Sequence, residues 1–261
     1  MNREFWNKRK FTNKNPLDYN CPKCKIGILN ITDLNSKIMP GQEEMEAYNY
    51  PYGINYVFSG FLVCKNQNCK NVISVIGNVL KDIQTGYQLP NGQYVEECIS
   101  EYNPKYFYPP LKTIDISKKV TEKVTEKVTE QLNLSFSHFF NDLSSCSNRI
   151  RNSIELILDD LKAPKKFKDK NQKLKPFKTL NHRILNYHKK TKNRKITNYL
   201  LAIKIIGNEG SHVGNVDLSD VLDAYEFLEL ILDFVYDKKN KNTLQKASEI
   251  ILNKQPLSKK K

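Results

Sequence analysis

No stretch of this 261-residue chain approaches the roughly 18 consecutive apolar residues of a membrane-spanning helix. Its start, Met1 to Trp6, carries no apolar run of the kind a secretory leader needs. Neither a membrane-embedded nor an exported protein is expected, and the chain is read as cytoplasmic. Apolar residues are thin as well, at 39% against roughly 45–50% in ordinary globular chains. Acidic charge is in deficit, with 28 Asp and Glu against 42 Lys and Arg, for a net +14. What remains is a basic, soluble chain, long enough for one large domain or two smaller ones.

The basic excess is concentrated. Between Lys162 and Lys195 stand fourteen basic residues and one acid, Asp169, so this window carries +13 and the rest of the chain about +1. A local excess of this size is the footprint of a surface that meets phosphate. The candidate contacts are Lys165, Lys166, Lys168, Lys170, Lys173, Lys175, Lys178, Arg183, Lys189, Lys190, Lys192, Arg194 and Lys195. From Val213 to Asp237 the balance reverses, with seven acids and no Lys or Arg. That face could neutralise the basic window within the fold or across a dimer.

Residues 1–112 hold β-like runs, Tyr56–Val63 and Val72–Ile76, separated by turn formers at Pro40–Gly41, Pro51–Gly53, Pro90–Gly92 and Pro109–Pro110. They predict short strands in a small antiparallel β domain. In 113–261 apolar residues recur at helical spacing, as in Ile150, Ile154, Ile157, Leu158 and Leu161, or Leu222, Tyr225, Leu228, Leu232 and Val235. This half predicts an all-α bundle, and the chain an α+β class. Val120–Glu130 repeats a tetrapeptide, spacing Val120, Val124 and Val128 by four with a drift of about 40° per step. It reads as a solvated helix running into the domain at Leu132–Phe140. Residues 162–178 read as a charged loop between helices, Lys238–Asn242 as a shorter break, and Pro256–Lys261 as a frayed tail.

Four of the six cysteines form two tight pairs, Cys21 with Cys24 and Cys64 with Cys69. Two short knuckles that bring four thiolates together suit a tetrahedral soft ion, so the pattern predicts a structural Zn2+ in a zinc ribbon. Disulfides are disfavoured in a reducing compartment, and no βαβ context supports a redox pair. The thin apolar content predicts that this β domain unfolds without its metal. Cys98 and Cys146 lack partners at ligand spacing and read as small buried side chains.

Three stretches place polar groups where helical periodicity puts a semi-buried face. Arg151 and Glu155 stand one turn apart. His182 and Arg183 adjoin Leu180 and Ile184. The run from Leu200 to His212 begins apolar and ends in glycine-flanked polar residues. If it stays helical throughout, Lys204, Asn208 and His212 share one stripe; if it stops near Gly207, Gly210 frees the backbone to turn Asn208 and His212 back over the bundle. His138, His182 and His188 read as structural, with His182 a possible member of the same pocket.

The order Arg151-x-x-x-Glu155, then the 180–184 run LNHRI, then the 201–212 run LAIKIIGNEGSH, followed by an acidic amphipathic helix, resembles the bacterial domain-of-unknown-function family 4145. The paired cysteines and the Tyr108–Leu111 step (YPPL) resemble the zinc-ribbon head often attached to it. The resemblance spans roughly Cys21 to Ala247. That family is similar to the wider HEPN group of helical bundles, many of them in phage-defence and toxin systems, where metal-independent RNA cleavage is common. By this resemblance His212 matches the HEPN histidine, Asn208 the polar residue before it, and Arg151 with Glu155 the pair of an earlier helix. The chain departs from the nuclease pattern at 205–207, where Ile, Ile and Gly stand in place of an arginine. The nearest upstream cation is Lys204, which neutralises a phosphate without gripping it bidentately.

These residues lead to a nucleic-acid-associated HEPN-like protein of a phage-defence or toxin-type system, with RNA favoured over DNA and a homodimer implied by the resemblance. An enzymatic alternative is a metal-independent endoribonuclease in which neutral His212 takes the 2′-hydroxyl proton and Lys204 or Arg151 offsets phosphate charge. A third reading is a non-catalytic interaction subunit of a larger nuclease or helicase. No membrane partner is expected.

Overall fold

A computed structural model describes residues 1–16, 19–43, 54–210, 216–237 and 249–252; the side chains of 82–85 and 96–98 are not among those described. The expected break at Lys238–Asn242 and the tail at Pro256–Lys261 lie outside the described residues. The chain divides into two compact units. One comprises Asn2–Lys112 with Ser137–Asn141, and the other Thr113–Phe136 and Asp142–Lys261 with Met1.

The first unit is a five-stranded antiparallel sheet in the order β1-β5-β4-β3-β2, with β1 Phe11–Thr12, β2 Leu29–Ile38, β3 Ile54–Cys64, β4 Val72–Gln88 and β5 Tyr94–Tyr108, preceded by α1 Arg3–Asn7. In β3 the alternation sends Ile54, Tyr56, Phe58, Leu62 and Cys64 inward and Asn55, Val57, Ser59 and Phe61 outward, the period of two that a half-buried strand requires. The strands are longer than the apolar runs predict. β4 has 17 residues and β5 has 15, because the polar stretch after Leu80 pairs with the segment before Tyr102 through the backbone ladder. The β4–β5 register shifts at Gly77, where a Cβ would stand 2.3 Å from the Asn103 carbonyl oxygen.

Rings fill the core of this unit. Trp6 stacks on Tyr19 at 5.8 Å, and Phe107 meets Phe140 at 4.6 Å. Phe139 and Phe140 follow α3 (Glu126–His138) and join this cluster, which is why Ser137–Asn141 counts with the sheet. The Arg9 guanidinium lies 5.4 Å from both ring centroids and donates to the Phe139 carbonyl at 2.6 Å.

The second unit is built on α2 Lys118–Thr121, the start of α3, α4 Leu143–Asp160, α5 Leu180–Thr191, α6 Arg194–Glu209 and α7 Leu218–Tyr236. Helix α4 buries Cys146, Ser147, Ile150, Ser153, Ile154, Ile157 and Leu158 along one stripe and packs against α6 and α7. The repeat at 120–130 is not one helix: α2 and α3 are separate. An unbroken helix would swing Val128 about 80° from Val120, whereas the break lets both be fully buried. The break is held by Lys123 Nζ on the Tyr236 carbonyl at 3.1 Å and by Thr125 Oγ1 on Asp160 Oδ2 at 3.2 Å.

The stretch expected as a loop also differs. It holds a hairpin of β6 Lys166–Lys168 and β7 Leu174–Pro176. Asp169, the window's single acid, closes its turn by accepting from the amides of Asn171 and Lys173, each at 2.9 Å. Among the described residues, no helix is long and apolar enough to cross a membrane.

Candidate functional site

In the sheet unit, Cys21 Sγ lies 3.7 Å from Cys69 Sγ and Cys24 Sγ 3.6 Å from Cys64 Sγ, and all four sulfurs fall within 4.8 Å of one another. Sulfurs bound about 2.3 Å from a tetrahedral centre stand about 3.8 Å apart, so the set fits one metal ion. Both knuckles turn on a left-handed residue just after their second cysteine, Lys25 at φ 64° and Lys70 at φ 46°. Gly27 is the third element of the cradle. Its amide donates to Cys24 Sγ at 3.3 Å, and a Cβ there would stand 2.4 Å from Cys64 Sγ. At Cys24 desolvation is outweighed by the Gly27 and Ile26 amides, which pull its thiol down to about 6, while burial pushes Cys64 up to about 12. Cys146 is fully buried with its sulfur 3.3 Å from Tyr225 Oη; the Cys98 side chain lies outside those described.

In the helical unit, Arg151, Glu155, Lys204 and Asn208 line one solvent-open cleft of about 740 Å³. Helix α4 carries the first two and α6 the others. The helices come this close because α6 presents Gly207 to α4: a Cβ there would sit 2.4 Å from Arg151 Cβ. Gly210 works the same way, its Cβ position 2.1 Å from Ser147 Oγ, and its φ of −64° is ordinary helical backbone, so of the two alternatives read from sequence the helix passes Gly207 and runs to Glu209. Arg151 is held on three sides, by Glu155 Oε1 at 3.1 Å, Asn208 Oδ1 at 3.0 Å and Asn152 Oδ1 at 3.3 Å. Lys204 Nζ donates to Asn181 Oδ1 at 3.4 Å.

His182, read from sequence as structural or as a member of this pocket, lines the cleft, as do Asn181, Phe177 and Thr179, which sequence reasoning did not single out. The overlooked signal was Thr179, whose hydroxyl accepts from the His182 amide at 3.3 Å and so opens α5 beside the cleft. His188 bonds Thr197 at 3.2 Å, and His138 Nδ1 is buried without a partner. His212 lies outside the described residues.

The basic window divides. Arg183 is held within the protein, donating to the Glu155 and Ala163 carbonyls at 3.0 and 3.1 Å and to Asp159 Oδ1. Lys165 pairs with Asp159 and Lys175 with Asp169, both at 2.8 Å. Desolvation of Asp159 is outweighed by Lys165 and Arg183, which hold its carboxyl below the usual range. Lys166, Lys168, Lys170, Lys173, Lys178, Lys189, Lys190, Lys192, Arg194 and Lys195 are exposed. Among the described residues, the window's ion pairs go to Asp159 and Asp169 and not to α7.

No curated protein and no solved structure matches the chain. Residues 9–107 match the family model described as Domain of unknown function (DUF8608), and residues 133–254 match Domain of unknown function (DUF4145), the family that the helical motifs resemble.

Proposed function

We propose that the helical unit is an HEPN-like module that binds nucleic acid through the cleft between α4, α5 and α6, in a bacterial phage-defence or toxin-type system, with RNA favoured over DNA. The observation that carries this reading is the meeting of five cations, Arg151, Lys165, Lys178, Arg183 and Lys204, in one open cleft whose lining holds one carboxylate, Glu155, with Lys165 and Arg183 also paired to Asp159. The exposed hairpin lysines extend the same charge outward. The defence setting and a dimer rest on the family resemblance. In the sheet unit, Cys21, Cys24, Cys64 and Cys69 hold a Zn2+ whose four protein ligands leave no open position, so it supports the fold and does no chemistry.

Electrostatic binding through six to ten phosphates loses about 10³–10⁵ in affinity between about 50 and 200 mM salt. Titration of labelled RNA across that range tests the reading. No affinity at low salt favours instead an interaction subunit of a larger nuclease or helicase complex.

The hydrogen bond from Arg151 to Asn208, with Lys204 in the same cleft, favours a second reading, metal-independent RNA cleavage with His212 as base. Cleavage of mixed RNA in chelator, lost in His212→Ala, supports it; intact RNA across substrates leaves the binder.

A further inference from the structure

The hairpin between α4 and α5 is more than a string of lysines. Phe167 stands between Lys166 and Lys168, Leu174 between Lys173 and Lys175, and Phe177 beside Lys178. The two rings pack at 5.3 Å and 31°, with Phe167 still 37% exposed. Phe177, with Lys165 and Lys178, forms the hairpin's share of the cleft wall, and Arg151 and Lys204 belong to the same cleft.

Cations suffice for phosphate, which has no use for an aromatic wall. A ring beside them suits an unpaired base, whose π face stacks on an aromatic side chain whatever the base. The amides of Asn181 and Asn208 and the Thr179 hydroxyl add donors and acceptors in the same space, the groups that read a base edge or a ribose hydroxyl. A cleft of about 740 Å³ falls in the range of small-molecule sites, room for a nucleotide. A duplex hides its base faces within its own stack and has none to offer a ring.

We infer that the cleft takes a nucleotide of a single strand, its unpaired base stacked on Phe177 and its phosphate on Arg151 and Lys204, so that the protein selects single-stranded over duplex nucleic acid. This rests on the nucleic-acid reading of the same cleft and adds the form of the ligand. The plain competitor is a ring pair that only staples the hairpin.

Fluorescence anisotropy of the full chain decides between them, using labelled strands of about twelve units: a mixed-sequence RNA, the DNA of that sequence, the RNA annealed to its complement, and an abasic sugar-phosphate strand. Single strands of either sugar should bind more tightly than the duplex, the tighter one identifying the source. Phe177→Ala and Phe177→Leu should each weaken base-bearing single strands about tenfold or more, the size of one lost stack, and leave the abasic strand within about twofold. Phe177→Trp should keep the affinity and show indole quenching when the strand is added. Equal losses on abasic and base-bearing strands, or tighter binding of the duplex by the unaltered protein, overturn the inference while the nucleic-acid reading stands. Absence of binding to every probe overturns both.

Discussion

Arg151 Nε donates to Asn208 Oδ1 at 3.0 Å, joining α4 to α6 across 57 positions of sequence. With Glu155 and Asn152 on its other nitrogens, the guanidinium is fixed in direction before any ligand arrives. A fixed fork loses less rotamer freedom on meeting a phosphate than a free one does.

Replacing Asn208 by Ala therefore acts on binding more than on folding. The bond is exposed and worth about 1 kcal/mol, so the melting temperature should move by a few degrees at most. Affinity for labelled RNA should fall by about fivefold as the guanidinium loses its orientation. An unchanged affinity in Asn208→Ala would show that the bond does not position Arg151 for a ligand.

Gly207→Ala should do both. Its Cβ would meet Arg151 Cβ at 2.4 Å and the Ser147 carbonyl oxygen at 3.0 Å, neither of them the far end of a flexible side chain. The helices must part, at a cost of about 1–3 kcal/mol, and Arg151 leaves Asn208. Urea unfolding measures the first effect and RNA binding the second; a fully stable, fully binding Gly207→Ala contradicts the close approach.

Much of this was legible in sequence. The helical stripe Ile150, Ile154, Ile157 and Leu158 is buried as its spacing requires, and the cysteine spacings foretold a converging set of sulfurs. Arg151, Glu155, Lys204 and Asn208 could be ordered from sequence, yet their meeting depends on Gly207, which reads equally well as a helix end. The hairpin was hidden because its strands have three residues each, too few to show an apolar repeat, and its turn is closed by the Asp169 carboxylate. The extent of β4 and β5 was hidden because backbone pairing leaves no mark on a polar sequence.

Metal removal should loosen one end of the sheet unit first. Composition alone predicts collapse of the whole β domain, but Trp6, Tyr19, Phe107, Phe139 and Phe140 form a ring cluster of their own. After chelation under reducing conditions, amide hydrogen exchange should rise across residues 20–31 and 62–72, while Tyr102–Phe107 keeps its protection. Cys64→Ser should give the same pattern without chelator. Uniform loss of protection across all five strands would mean that the cluster cannot hold the sheet alone.

Acid should act on the helical unit through two carboxyl groups shifted in opposite directions. Lys165 and Arg183 outweigh desolvation at Asp159 and lower its pKa, so its contribution to stability is present above the unfolded value of about 3.9 and fades as the pH falls through the folded one. Asp233 is raised by desolvation, Glu229 and Asp237; its ionised form destabilises the fold, and stability recovers as the pH drops through that raised value. Asp159→Asn should cost about 1–3 kcal/mol at neutral pH, since Arg183, only 12% exposed, loses its anionic partner, and should flatten the loss of stability below about pH 4. Asp233→Asn should raise the neutral-pH melting temperature and remove the recovery above about pH 4. Thermal unfolding from neutral to acid pH separates the two; an acid limb as steep in Asp159→Asn as in the unaltered protein would place the titrating group elsewhere.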